Sequence, residues 1–133
     1  MAIVFVARDV LSSRGMSKSQ QLKDRTEAFA VAIVKLSREL PSSVESRRIG
    51  LQLIGSGTSI AANYRAACRA RTRAEFIAKI GTVLEEADET AFWLDLLVKT
   101  GQTSATATDE LRREANELTA IFAASLRTAR SHR

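Results

Sequence analysis

The chain has 133 residues, and its 20 Lys and Arg outnumber 15 Asp and Glu, so its formal net charge is +5 at pH 7. This length suits one domain that buries a single core without disulfides or metals. A single cysteine excludes an intramolecular disulfide framework, and no segment reaches the roughly 18 apolar residues that a membrane span requires. Charged residues also interrupt the opening apolar run too early for a signal peptide. We therefore expect a cytoplasmic protein.

The composition favours helix and hints at an anionic partner. There are 21 alanines, six glycines and one proline, with few β-branched runs. Fifteen of the 20 basic residues are arginine, whose planar fork of donors suits phosphate or carboxylate. An ordinary solvated basic surface is the alternative explanation.

The first residues do not match the rest of the chain. Ile3 to Ala7 has the character of a short strand that finds no partner strand, and helical periodicity begins only after Met16. We expect residues 1–18 to be an N-terminal arm, or a stretch that precedes a natural start at Met16.

Four segments with helical periodicity follow, at about 19–40, 43–70, 72–101 and 106–130. Each carries an apolar stripe with spacings of three, four and seven residues. The stripes consist of Leu22, Phe29, Ile33, Leu36 and Leu40; Ile49, Leu53, Ile60 and Ala67; Phe76, Ile80, Val83, Ala87, Leu94 and Val98; and Leu111, Ala115, Leu118, Phe122 and Leu126.

The helix ends are marked by capping patterns, in which two side chains satisfy free backbone donors. The connections are short, so successive helices should be antiparallel neighbours. The prediction is an all-α, up-down-up-down four-helix bundle over residues 19–130, followed by a basic tail at 131–133. The markers are Ser17 with Gln20, Ser42 with Glu45, Thr72 with Glu75, a stop at Pro41, a C-terminal cap at Gly101, and a start at Thr106 or Thr108.

The third helix has a second apolar face. Phe92, Trp93 and Leu96 lie on the side opposite its main stripe. A helix in a four-helix monomer has one face to bury, so a second face predicts a homo-oligomer interface. A wide core stripe is the alternative.

The second helix carries a polar row beside its stripe, which consists of Gln52, Ser56, Ser59 and Asn63. Glu85 and Glu89, one turn apart on the third helix, are candidate acceptors for hydrogen bonds from that row. Buried carboxylates must be paired or hydrogen-bonded, so we interpret this set as a structural network that fixes helix register. A catalytic role for the two glutamates is the competing interpretation.

Other kinds of chemistry find little support. A di-iron bundle needs Glu-x-x-His on two helices, whereas the one histidine, His132, lies in the tail. No serine or cysteine has a candidate histidine base. We expect no catalytic residues, no metal site and no cofactor.

Arginines crowd the turn between the second and third helices. Arg65, Arg69, Arg71 and Arg73 would repeat around the axis of an oligomer as a ring of positive charge. Such a ring would contact phosphates without sequence preference. Turn solubility and compensation of the helix dipole would explain the same residues.

Three runs of the chain together resemble a known family. They are Gln52 with Ser59 to Ala66, Glu75-Phe76 with Lys79, and Glu85 to Thr90 with Trp93-Leu94. This pattern is similar to that of the 23S rRNA intervening-sequence (S23) proteins, and the resemblance extends over about residues 22–101.

The resemblance implies a four-helix bundle that assembles as a homopentamer without established enzymatic activity. A similar fold serves as the nucleic-acid-binding accessory subunit of certain reverse transcriptases, an analogy at the level of fold. We expect a non-enzymatic, oligomeric accessory protein associated with RNA, and without membrane contact. The alternative is a protein-binding scaffold with no nucleic-acid role.

Overall fold

A computed structural model of the chain describes residues 16–131. Within that range the regular structure consists of four α-helices and no strand. They are α1 (Lys18–Arg38), α2 (Val44–Cys68), α3 (Arg73–Lys99) and α4 (Ala105–Ser131). Residues 1–15 of the predicted N-terminal arm, which include its strand-like stretch, lie outside the described residues, as do His132 and Arg133. The last residues predicted for the arm belong to the start of α1, since Ser17 caps this helix and Lys18 is its first residue. No described helix is long and apolar enough to cross a membrane.

Each helix begins at a hydroxyl side chain that accepts a backbone N–H three residues later. The caps of α1 and α3, Ser17 and Thr72, were predicted, and each accepts its bond over 3.1 Å. The predictions for α2 and α4 were wrong by a few residues, because Ser43 and Ser104 hold these positions, also at 3.1 Å. Adjacent serines and threonines offer the same acceptor, so sequence spacing alone did not distinguish them.

The end of α3 is set by Gly101. Its φ of +75° lies in the left-handed region, which glycine adopts without steric cost. The N–H groups of Gly101 and Gln102 bond the carbonyls of Val98 and Leu97 at 3.1 and 2.9 Å. The predicted C-terminal cap is therefore confirmed.

The predicted stripes form one core among the four helices. Fifteen stripe positions are buried, and the others, including Leu22 and Phe76, are partly buried at its edges. Tyr64 joins this core with its ring 5.3 Å from that of Phe122. The buried stripe residues are Phe29, Ile33, Leu36, Leu53, Ile60, Ala67, Ile80, Val83, Ala87, Leu94, Leu111, Ala115, Leu118, Phe122 and Leu126.

α1 and α2 approach each other closely at Gly57. A Cβ at this position would lie 2.9 Å from Ile33, so only glycine fits without movement of that side chain. Gly55, two residues earlier, is exposed and has open space where a Cβ would project. Of these two glycines, Gly57 has a packing reason to be glycine and Gly55 has none.

Candidate nucleic-acid interface

The four predicted arginines lie at one end of the molecule, around the turn that joins α2 to α3. All four are exposed. The turn is held by Thr72, which caps α3, and by the Glu75 carboxylate, which accepts the N–H of Arg71 at 3.2 Å. This local bonding explains how two long helices meet with so few residues between them.

Arg65 and Arg69 lie one helical turn apart on the side of α2 that faces α1. They line a cleft of about 160 Å³, whose other walls include Lys23, Asp24 and Glu27 of α1. None of the ion pairs formed within residues 16–131 includes either arginine. The two guanidinium groups are therefore not neutralised by direct pairing.

Arg71 and Arg73 line a second, larger cleft of about 720 Å³ at the same end. Lys18 and Lys23 of α1 form part of its wall, and no carboxylate does. Four cations around a cleft whose wall has no carboxylate produce a positive potential there that attracts anions. Lys23 lines both clefts and links them into one basic surface. We call this surface the basic end: Lys18, Lys23, Arg65, Arg69, Arg71 and Arg73.

Arg73 has a structural partner that the other arginines lack. Its Nε donates to the Ala129 carbonyl at 2.7 Å, and its Nη2 donates to the same oxygen. That carbonyl lies in the last turn of α4, where backbone acceptors have no partner within the helix. Arg73 therefore ties the end of α4 to the start of α3, and we expect it to contribute least to binding an anion.

Tyr64, which adjoins the cluster in sequence, is a core residue. It is 6% exposed. Burial raises the pKa of its phenol, and a hydrogen bond with Cys68 raises it further. The side chain stays neutral at physiological pH and is packed against Phe122, so its ring is not free to stack on a base.

Sequence reasoning missed Lys18 and Lys23. The signal was available, because a short connection between α1 and α2 brings the start of α1 beside the end of α2. Lysines in the first turns of α1 therefore belong with arginines in the last turns of α2. Arg47 and Arg48, also exposed, lie at the opposite end of α2.

The predicted oligomer residues form an outward patch on α3. Phe92 is 56% exposed, while Trp93 and Leu96 are partly buried. The Phe92 and Trp93 rings meet edge to face with centroids 4.9 Å apart, and the Trp93 indole N–H donates to Glu89 over 3.1 Å. The patch is ordered by these contacts within a single copy.

The predicted polar network does not form in the structure, because the polar row of α2 is not hydrogen-bonded to the two glutamates of α3. Ser59 donates to the Gly55 carbonyl at 2.6 Å and Asn63 to the Ser59 carbonyl at 2.9 Å, both within α2. Gln52, Glu85 and Glu89 are exposed, and in the part of the chain that the structure describes no hydrogen bond links the row to either glutamate. Exposed carboxylates are solvated and need no such partner, which is why the prediction failed.

A single buried hydrogen bond between side chains does link α2 to α3. The hydroxyls of Ser56 and Thr90 lie 3.0 Å apart, and both residues are buried. Thr90 also lies 2.7 Å from the Glu86 carbonyl. Both hydroxyls are satisfied, so this pair sets register at low cost.

The described residues offer no cluster of metal ligands. Nowhere between Met16 and Ser131 do three or more His, Cys, Asp or Glu side chains come together in a way that would hold a metal ion.

The described helices and the basic end define an all-α, four-helix protein with a cationic surface at one end. The chain belongs to the family of 23S rRNA-intervening sequence proteins, whose family model matches residues 18–124. It is similar to a protein of unknown function from the S23 ribosomal protein family of Bacteroides thetaiotaomicron. The sequences are 33% identical, the match covers 84% of this chain and 99% of the other, and the TM-score is 0.77. No curated protein matches the chain.

Proposed function

We propose that this protein is a non-enzymatic, RNA-associated accessory protein that contacts phosphates through its basic end. The observation that carries the proposal is the larger cleft, in which Lys18, Lys23, Arg71 and Arg73 meet without a carboxylate in the wall. Arg65 and Arg69 extend the positive surface along α2. Contacts of this kind position a nucleic-acid backbone and carry no sequence information by themselves.

The absence of enzymatic activity is part of the proposal. Glu85 and Glu89, the carboxylates considered for acid–base chemistry, are exposed to solvent. General acid–base catalysis works best with a group whose pKa lies near neutrality, most often histidine, and residues 16–131 contain none.

We also propose that the helices run up-down-up-down. Gly57 and Gly50 of α2 face Ile33 and Leu40 of α1 in reverse chain order. In α3 and α4, Asp95 pairs with Arg112 at 2.8 Å while Arg73 bonds Ala129, again in reverse order. Antiparallel packing of each successive pair accounts for these contacts.

The protein is, in this proposal, a cytoplasmic homo-oligomer, and the family resemblance favours a pentamer. The exposed Phe92 beside Trp93 supports self-association, because large apolar side chains clustered on a surface mark interaction sites. In an oligomer the basic end repeats around the axis, and the number of phosphate contacts rises with the number of copies.

A filter-binding titration of RNA and DNA against salt tests the RNA proposal. We expect binding at low ionic strength, with log Kobs falling linearly as log salt rises and little change among sequences of equal length. If neither nucleic acid is retained at low ionic strength, the alternative of a protein-binding scaffold through the Phe92 patch is favoured.

A further inference from the structure

We propose that copies of this chain associate head to tail, with the Phe92 face of one copy seated in a groove between α1 and α2 of the next. The Phe92 ridge is the outward face of α3 formed by Phe92, Trp93 and Leu96. The Val31 groove is the depression lined by Ala30, Val31, Val34, Lys35, Arg38 and Thr58, together with Glu27 at one end. The inference rests on the proposed oligomer and specifies which two surfaces meet.

The Phe92 ridge has the character of an anchor. Phe92 is 56% exposed, yet its ring is held by an edge-to-face contact with Trp93. Trp93 is in turn fixed by its hydrogen bond to Glu89. Little side-chain freedom is left to lose on docking, and pre-positioned aromatic side chains are typical of the residues that dominate interface energies.

The Val31 groove is the matching depression. It has a volume of about 330 Å³, and its floor is formed by aliphatic side chains of α1, including Val31, which is 44% exposed. An exposed valine beside Ala30 and Val34 is apolar surface that one copy alone leaves in water. Seating an aromatic ring there would remove apolar area from water on both copies.

The charges around the two surfaces are opposite. Glu85, Asp88 and Glu89 flank the ridge and are exposed, whereas Lys35 and Arg38 stand exposed at the groove. Burial raises the pKa of the neighbouring Glu86, and repulsion from Glu89 and Glu85 raises it further, as expected where acidic side chains cluster. Within residues 16–131 neither Lys35 nor Arg38 forms an ion pair. Glu27 at the far end of the groove and Arg112, which lines a depression beside Phe92, oppose this complementarity.

The ridge and the groove also lie at the same height along the helices. Ile33 of α1 packs on Gly57 of α2, and the neighbouring Ser56 lies 3.0 Å from Thr90 of α3. Val31 and Val34 flank Ile33, and Phe92 follows Thr90 by two residues. A closed ring whose axis runs along the helices permits no rise between copies, so its two contact surfaces must be level.

A symmetric contact between two copies of the Phe92 ridge is disfavoured. It would bring two sets of acidic side chains together, and like charges at an interface cost binding energy. Arg112, the cation that lines a depression with Phe92, is already paired with Asp95 and Asp109. The head-to-tail contact pairs each acidic surface with a basic one and leaves a free ridge and a free groove for further copies.

Chemical cross-linking tests the inference. The protein is prepared with Cys68→Ala, so that its native thiol does not react, and then with Phe92→Cys, Val31→Cys or both. A short bis-maleimide reagent should give a covalent ladder beyond the dimer only when both changes are present in one chain. The head-to-tail contact would be overturned if the double variant gave no ladder, or if Phe92→Cys alone gave dimers.

A second measurement avoids changing the apolar residues. Lys35→Glu should lower the average mass in sedimentation at micromolar concentration by disrupting the oligomer, and adding Asp88→Lys in the same chain should restore it. Arg48→Glu, an exposed reversal at a position that lines neither surface, is the control and should leave the mass unchanged. Equal effects of Lys35→Glu and Arg48→Glu would overturn the inference.

The sedimentation of the unaltered protein separates this inference from the broader proposal. A monomer at all concentrations would overturn both the oligomer and the head-to-tail contact. An oligomer without the double-variant ladder would overturn only the contact. RNA binding is measured independently and is affected by neither result.

Discussion

Arg25 of α1 donates from Nε to Oε2 of Glu114 in α4 over 2.8 Å, inside the interior between the two helices. Its Nη2 reaches both Glu114 and the more exposed Glu117, at 2.5 and 2.6 Å. Arg25 is 7% exposed and Glu114 1% exposed. These hydrogen bonds and charges raise the pKa of Arg25 further above its usual value. The first and last helices are thus joined by a buried ion pair.

Removal of one member of this pair should destabilise the protein strongly. Arg25→Met leaves the Glu114 carboxylate buried without its partner, and we expect a loss of about 3–5 kcal/mol in urea unfolding. Lys99→Gln is the control, because it breaks the Asp95 pair of a side chain that is 72% exposed. That change should cost less than about 1 kcal/mol. Similar losses in the two variants would contradict a structural role for the buried pair.

Two neighbouring glycines should respond to alanine in opposite directions. Gly57→Ala places a Cβ 2.9 Å from Ile33, and the resulting overpacking exceeds the gain in helix propensity, so we expect a net loss of about 1–2 kcal/mol. Gly55→Ala meets nothing within 4 Å and should stabilise the protein by about 0.5–1 kcal/mol. Thermal unfolding of both variants measures the contrast, and destabilisation by Gly55→Ala would be inconsistent with this packing.

Two carboxylates on α3 should show opposite pH dependence. Burial, then repulsion from Glu89 and Glu85, raises the pKa of Glu86 in the folded state. Its ionisation disfavours folding as pH rises through that value, so Glu86→Gln should raise stability at pH 7. The gain should be below about 1 kcal/mol because the group is mostly solvated, and it should vanish below about pH 4, where both states are protonated.

Replacement of Asp95 should change stability at pH 7 in the direction opposite to that of Glu86→Gln. A hydrogen bond from Lys99, assisted by the charges of Lys99 and Arg112, lowers the pKa of Asp95. Ionised Asp95 stabilises the folded state at pH values above the pKa that its carboxyl has in the unfolded chain. This stabilisation is lost as pH falls through the pKa of Asp95 in the folded state, so Asp95→Asn should lower stability at pH 7. Urea midpoints at fixed protein concentration across pH 3 to 8 test both variants. If both variants changed the stability at pH 7 in the same direction, the opposite pKa shifts of Glu86 and Asp95 would be refuted.

Substitutions of Arg71 and Arg73 should have different effects on hydrogen exchange at the end of α4, although the two residues are only two positions apart. Arg73→Gln removes two donors from the Ala129 carbonyl and should speed hydrogen exchange in the last turn of α4. Arg71→Gln removes no side-chain bond to that helix and should leave exchange there unchanged. Faster exchange in the Arg71 variant would show that the end of α4 depends on the charge of the turn rather than on the bond to Ala129.

The fold was largely predictable because it depends on periodic burial. Residues such as Leu53, Ile80 and Phe122 recur at helical spacing, and each is fully buried. The Arg25–Glu114 pair was not predictable in this way, since its members are separated by 89 positions and look like surface residues in their own helices. The Ser56–Thr90 link was missed for a similar reason: the polar row suggested larger, exposed partners instead.

The sequence predicted that the four arginines of the candidate site cluster together, but it did not predict what each of them does. Arg65, Arg69, Arg71 and Arg73 are close in sequence, so any turn between α2 and α3 brings them to one end. The bond from Arg73 to Ala129 depends on a contact between residues that are 56 positions apart. Local patterns do not contain such contacts.

The salt dependence of RNA binding by two matched triple variants shows whether phosphates contact the basic end. One carries Arg65→Gln, Arg69→Gln and Arg71→Gln, and the other carries Arg47→Gln, Arg48→Gln and Arg113→Gln, so both lose the same charge at exposed positions. We expect weaker binding by the first variant and a slope of log Kobs against log salt that is shallower by about 2. The second variant should bind like the unaltered protein. Equal losses in the two variants, or an unchanged slope in the first, would contradict phosphate contact at the basic end.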